Sequence, residues 1–126
     1  MVATTCCCLQ AKINPESIDK IVSAYGRIHS NLLIDDKNYP NANYLSKLIK
    51  SGLPKYGMLG VGEGMDSEGS DWIIKILEED DDRPLWISVW GGVNTLAQSL
   101  HKIKNTKSKK EAKRLLRNEG CKTLFA

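Results

Sequence analysis

The run Leu85-Trp86-Ile87-Ser88-Val89-Trp90-Gly91-Gly92-Val93-Asn94-Thr95-Leu96-Ala97 constrains the fold more than any other part of the chain. It opens with almost uninterrupted apolar and β-branched residues, stops at two glycines, and restarts as a helical pattern headed by polar residues. That order predicts a buried strand, a tight turn and a helix N-terminus. In open α/β sheets ligands bind in the crevice at the carboxyl ends of the strands, so this turn is the first candidate for part of a site.

Elements on either side extend the pattern. Val2 to Thr5, continuing toward Cys8, reads as a strand. Asn14-Pro15-Glu16-Ser17 then opens a helix that places Ile18, Ile21, Val22, Tyr25 and Ile28 on one core-facing side and frays near Ser30. Leu32-Leu33-Ile34, Asp35-Asp36 and Tyr39-Pro40 read as an anchored loop, its paired acids either a cation ligand pair or a solvated turn. A second helix runs from about Ala42 to Ser51 and stops at Gly52, with Pro54 beyond.

Tyr56 to Val61 is expected to form a short strand, followed by a glycine-rich acidic segment around Gly62, Glu63, Gly64, Asp66, Glu68 and Gly69. That segment is either a flap over a site or a mobile surface loop. A phosphate loop is disfavoured, since no Gly-Lys-Ser/Thr occurs and the acids would repel phosphate. Ser70 is expected to cap a helix to about Glu79, with Trp72, Ile73, Ile76 and Leu77 inward. After the strand at 85–89, Asn94 or Thr95 caps a helix to about Lys104, with His101 at its edge. Ser108-Lys109-Lys110-Glu111 is a capping box for a further helix that Gly120 closes, and Lys122 to Ala126 starts a last strand. The alternation predicts an α/β fold, a mainly parallel Rossmann-like sheet flanked by helices. Both terminal elements are strands without their loops, so residues 1–126 are expected to be a partial domain, incomplete at both ends.

Composition narrows the class. With 126 residues, 41% hydrophobic and 26% charged, the chain has the balance of one soluble globular domain. No apolar run approaches the roughly 18 to 20 residues a bilayer requires, and no basic leader marks a signal peptide; the compartment stays unassigned. Consecutive Cys6, Cys7 and Cys8 alternate faces on a strand, and with Cys121 remote and no His nearby a zinc site is not expected. Acids cluster at Glu63, Asp66, Glu68, Asp71 and 78–82, bases at Lys102, Lys104, Lys107, Lys109, Lys110, Lys113, Arg114, Arg117 and Lys122. The basic end carries no aromatic residue for base stacking, so no nucleic-acid partner is expected.

Taken together, Ala3-Thr4-Thr5, Asn14-Pro15-Glu16-Ser17-Ile18, Ala24-Tyr25-Gly26, Gly62-Glu63-Gly64, Ser67-Glu68-Gly69-Ser70-Asp71-Trp72-Ile73, Arg83-Pro84-Leu85-Trp86 and Trp90 to Ala97 resemble the nucleoside hydrolase-like domain of the bacterial and fungal cellulose-binding protein family. The likeness runs over nearly the whole chain. More distantly, Trp90 to Ala97 is similar to the strand-to-helix turn of inosine-uridine nucleoside hydrolases, with Asn94 and Thr95 in reversed order relative to the Thr-Asn of that family.

The resemblance implies hydrolysis of N-glycosyl or related bonds at the family level, with Ca²⁺ as cofactor held mainly by an aspartate cluster. It places the backbone carbonyl of Trp90 toward the metal. Thr4, Thr5, Glu63, Asp71 and Asn94 become candidate substrate-binding residues for a carbohydrate or nucleoside-like small molecule. Each has a plainer reading as well: Thr4 and Thr5 as strand formers, Asp71 as support for a helix dipole, Asn94 as a cap, Trp90 as a core aromatic. The metal-binding aspartates of the parent family would fall before Met1 and after Ala126, so this chain alone is expected to be inactive. The alternative is a non-catalytic carbohydrate (cellulose)-binding module in which Trp72, Trp86 and Trp90 stack on sugar rings.

Overall fold

A computed structural model describes residues 15–80, 85–89, 92–117 and 122–125. Helix α1 (Pro15–Asp35) is followed by α2 (Ala42–Leu48), a 3-10 turn (Gly57–Gly60), α3 (Glu68–Glu78), strand β1 (Trp86–Val89), α4 (Asn94–Thr106), α5 (Lys109–Arg117) and β2 (Lys122–Phe125). The strand expected at Val2 to Thr5 lies outside the described residues, as do all four cysteines.

Among the described residues helices dominate, and strands are confined to one parallel pair in which Trp86 faces Lys122 and Val89 faces Phe125. The expected α/β architecture with a mainly parallel sheet is thereby corrected. One cause is local. Tyr56 to Val61 does not extend, because Gly57 takes a positive φ of 60° and the Val61 amide donates back to the Met58 carbonyl at 3.2 Å, closing a 3-10 turn. A second cause is that α1 does not fray at Ser30: Leu32, Leu33 and Ile34 are not helix breakers and carry it to Asp35. It ends where Asp36 Oδ1 accepts from the Asn38 amide at 2.9 Å, a side-chain turn that competes with the helix.

Helix α1 also departs from its expected role. Ile21 is 70% exposed and Ile28 50%, so the apolar stripe does not face the core. Instead α1 packs only on α2 among the described elements. The two are clasped by Tyr25, whose hydroxyl donates to the Pro40 carbonyl at 2.5 Å, and by His29, whose Nε2 donates to the Tyr39 carbonyl at 3.0 Å. Gly26 permits this closeness, since a Cβ there would stand 2.9 Å from the Ala42 Cβ.

The core lies elsewhere. Ile73 and Leu77 of α3, Ile87 and Val89 of β1, Ile103 of α4 and Leu115 of α5 form one buried cluster, flanked by Ile74, Leu85, Leu96 and Ala112. These are the apolar positions the 3.6-residue and strand periodicities select. The N-cap of helix α3 lies three residues before the expected one. Ser67 is the N-cap and Ser70 its reciprocal partner, each hydroxyl accepting from the other's backbone amide. Helix α5 starts as expected, with the Ser108 hydroxyl accepting from the Glu111 amide. No helix among the described residues is long and apolar enough to cross a membrane.

Candidate functional site

Strand β1 ends at Val89 and α4 begins at Asn94, within the run from Leu85 to Ala97. The N-cap of α4 is Val93, which offers no side-chain hydrogen bond, so neither Asn94 nor Thr95 caps the helix. Both are its first residues, 5% and 3% exposed. An N-terminus without a polar cap leaves its first amides to other partners and carries a partial positive charge.

Three polar side chains on α4 at successive four-residue steps, Asn94, Gln98 and Lys102, form one stripe. Asn94 Nδ2 donates to the Lys55 carbonyl. Gly60 makes the approach possible, because a Cβ there would fall 2.7 Å from Asn94 Nδ2. Gln98, also 3% exposed, accepts from the Gly62 amide at 2.8 Å and donates to the Gly62 carbonyl at 2.9 Å and to Asp66 Oδ1 at 2.8 Å. Lys102 Nζ donates to Asp66 Oδ2 and to Asp71 Oδ1, both at 2.8 Å. The stripe therefore pins the glycine-rich loop along α4.

A second stripe, Thr95 and Ser99, faces the start of α3. The buried Ser99 hydroxyl lies 3.0 Å from the Ser70 carbonyl and 2.9 Å from the Thr95 carbonyl, and donates to them. The Thr95 methyl lies where a Cβ on Gly69 would come within 3.0 Å of it. Its hydroxyl Oγ1 is buried and has no hydrogen-bond partner among the described residues. Buried polar groups in folded proteins are nearly always satisfied, so an orphan of this kind calls for an explanation.

Electrostatics follow the contacts. Hydrogen bonds from Lys102, and after it from Gln98, hold the Asp66 carboxyl below the ordinary carboxylate value. Asp66 first, then Asp71, push the Lys102 ammonium upward.

Of the residues expected to line a site, the structure places Asn94 at the turn, Glu63 exposed on the glycine-rich loop one residue beyond the clamped Gly62, and Asp71 on the first turn of α3 with its carboxylate on Lys102. Thr4, Thr5 and Trp90 lie outside the described residues. Gln98, Lys102 and Ser99 were not anticipated, and Thr95 was expected only as a helix cap and as the counterpart of a turn residue in the resembling family. Their signal was available in the repeat of polar residues at 94, 98 and 102 and at 95 and 99, two stripes beside the apolar face.

A calcium site requires several oxygen ligands, carboxylates above all. Among the described residues no group of three His, Cys, Asp or Glu side chains could hold a metal ion. Asp66 and Asp71 are engaged by Lys102. The described residues alone do not fit such a centre. Trp72 does not offer a bare platform to a sugar either. It is half-buried, with the ammonium groups of Lys50 and Lys75 5.5 and 5.0 Å from its ring centroid.

The family described as cellulose-binding Sde182, nucleoside hydrolase-like domain, matches residues 1–121. A solved structure of a nucleoside hydrolase-related hypothetical protein from Saccharophagus degradans, associated with carbohydrate metabolism, is similar over 96% of the chain, with 31% sequence identity and a TM-score of 0.88. The chain spans 30% of the length of that protein. No curated protein matches it.

Proposed function

Because the chain belongs to the cellulose-binding Sde182, nucleoside hydrolase-like domain family, we propose that it binds the sugar part of a carbohydrate or nucleoside-like small molecule at the start of α4. The observation that carries this reading is the Thr95 hydroxyl, buried and unpartnered in the first turn of a helix with no polar cap. A sugar hydroxyl both donates and accepts, so it satisfies Thr95 Oγ1 and gains the positive end of the helix dipole. Asn94 shapes the same corner by holding the Lys55 carbonyl, and Glu63 belongs to the reading as the exposed neighbour of the clamped Gly62. Thr4, Thr5 and the Trp90 carbonyl belong to the reading through the resemblance. Ca²⁺ belongs to it in the same way, as the cofactor the resemblance implies, and no step of the proposed binding depends on it.

Binding without turnover is the activity proposed for this chain alone. Hydrolysis of an N-glycosidic bond needs a base to take the proton of the attacking water. Of the described carboxylates beside α4, Asp66 is held ionised as a weaker base by Lys102, and Asp71 faces the same ammonium.

The test is a thermal melt and calorimetric titration of the purified chain with D-ribose, inosine and cellopentaose, each with and without Ca²⁺. The expected result is stabilisation by ribose or inosine that Thr95→Val abolishes. Binding of cellopentaose alone, unaffected by Thr95→Val, would favour a cellulose-type surface platform instead. Release of ribose from inosine would overturn the claim of binding without turnover.

A further inference from the structure

We infer that Gln98 and Lys102 are positioning residues that latch the glycine-rich loop, residues 57–66, as a lid beside the start of α4. The loop has the parts of a lid. Gly57 and Gly64 sit near its two ends at φ 60° and 72°, a region open to glycine and strained for other residues, so both ends can act as hinges. Apolar side chains at and just before its Gly57 end are turned to water: Tyr56 is 72% exposed, Met58 81% and Leu59 78%. Apolar side chains held out this far gain by closing over something.

What holds the loop down comes from α4. Gln98 grips both the amide and the carbonyl of Gly62, as a neighbouring strand would, and does so with its own amide buried. The same Gln98 and Lys102 share the two oxygens of Asp66. Glu63 follows Gly62 directly, so the grip on Gly62 fixes where the backbone of Glu63 stands relative to Thr95, three residues before Gln98 on the same helix.

The latch has two halves of different character. The Gln98 half is buried and neutral. The Lys102–Asp66 half has its side chains 32% and 42% exposed, so salt screens it. Ionic strength is then a control on lid opening that leaves the amide half intact. That the lid serves a ligand rests on the sugar-binding reading above; that it is latched by these two residues does not.

Amide hydrogen exchange on the purified chain separates the two claims. In Gln98→Ala, exchange at Gly62 and its neighbours in 57–66 is expected to rise by about tenfold, the loss of one or two net hydrogen bonds, with α3 and α4 unchanged. Lys102→Met is expected to raise it less and to remove the response of the loop to added NaCl, and Lys102→Arg to restore that response. Equal acceleration across α3 and α4, or a loop whose exchange ignores Gln98→Ala, Lys102→Met and salt alike, would overturn the latch. A ligand role further requires the dissociation constant for D-ribose to weaken in both variants along with the exchange. If the wild-type chain binds no ribose, the sugar reading falls and the exchange data still decide the latch.

Discussion

Thr95 sets a local cost against a possible gain, and its chemistry gives the sign of a substitution. Removing an unpartnered buried hydroxyl while keeping the side-chain shape takes away a desolvated polar group and no hydrogen bond. Thr95→Val is therefore expected to leave the free protein as stable as wild type or more stable by about 1 kcal/mol in a denaturant melt. A loss exceeding about 1 kcal/mol would mean that the hydroxyl has a partner in solution. Asp66 and Lys102 allow a second argument at this scale. The carboxyl of Asp66 is lowered, so its contribution is present above its unfolded value of 3.8 and is lost as pH falls through the folded value. The ammonium of Lys102 is raised, so its contribution is present below 10.5 and is lost only as pH rises through the folded value. The stability difference between wild type and Lys102→Met is thus expected to be flat from about pH 5 to 9 and to shrink outside that window. A difference that titrates near neutrality would point to another group. The polar repeat along α4 was legible in the sequence, but its partners were not. An orphaned hydroxyl and a bridging lysine depend on which chain segments meet, and residues 55–66 and 94–102 are distant in sequence.

Individual elements were easier to read than their ends or their partners. The strand over 86–89 and the helix over 94–106 follow from period, although the helix is not capped by Asn94 or Thr95 as expected, and the start of α5 follows from the Ser108 cap. Helix α3 was found but its start was set three residues late, because Ser67 and Ser70 are both good caps and the reciprocal pair uses both. The expected strand at Tyr56 to Val61 failed for a related reason: three of the residues at 57–62 are glycine, and their freedom lets the 3-10 turn compete with extension. The Ser67–Ser70 box predicts that Ser67→Ala costs about 1 kcal/mol. Ser70→Ala is expected to cost more, since Ser70 is fully buried and its hydroxyl also donates to the Ser67 carbonyl. Chemical denaturation of the two variants checks the order; a harmless Ser70→Ala would show that the reciprocal cap is not formed.

For the whole molecule, the described residues divide into a clasped α1–α2 hairpin and a core of α3, α4, α5 and the strand pair. Periodicity finds the apolar stripe of α1 and cannot say what covers it, which is why Ile21 and Ile28 were expected inside and stand in solvent. The division predicts unequal opening. Amides of α1 are expected to exchange faster than those of α4 around the fully buried Ile103, since among the described elements α1 packs only on the seven-residue α2. Gly26→Ala sharpens the test. Alanine improves helix propensity by about 1 kcal/mol, while the new methyl meets the Ala42 methyl carbon at 2.9 Å and forces α1 and α2 apart at a cost of about 1 to 3 kcal/mol. Crowding is expected to win, with exchange accelerated in α1 and α2 and unchanged in α4. Acceleration reaching α4 would mean that the hairpin and the core open as one unit.

The parallel pairing of β1 with β2 carries a consequence for the order in which the chain assembles. Antiparallel neighbours can zip from a tight turn, but Trp86 meets Lys122 only after α4 and α5 have brought the chain back in the same direction. Closing so long a loop must precede any reward from the ladder. Helices α3, α4 and α5, joined through Ile73, Ile103 and Leu115, are then expected to form the early nucleus and the strand pair to form last. In refolding kinetics, Ile103→Val is expected to slow folding, and Val89→Ala to speed unfolding.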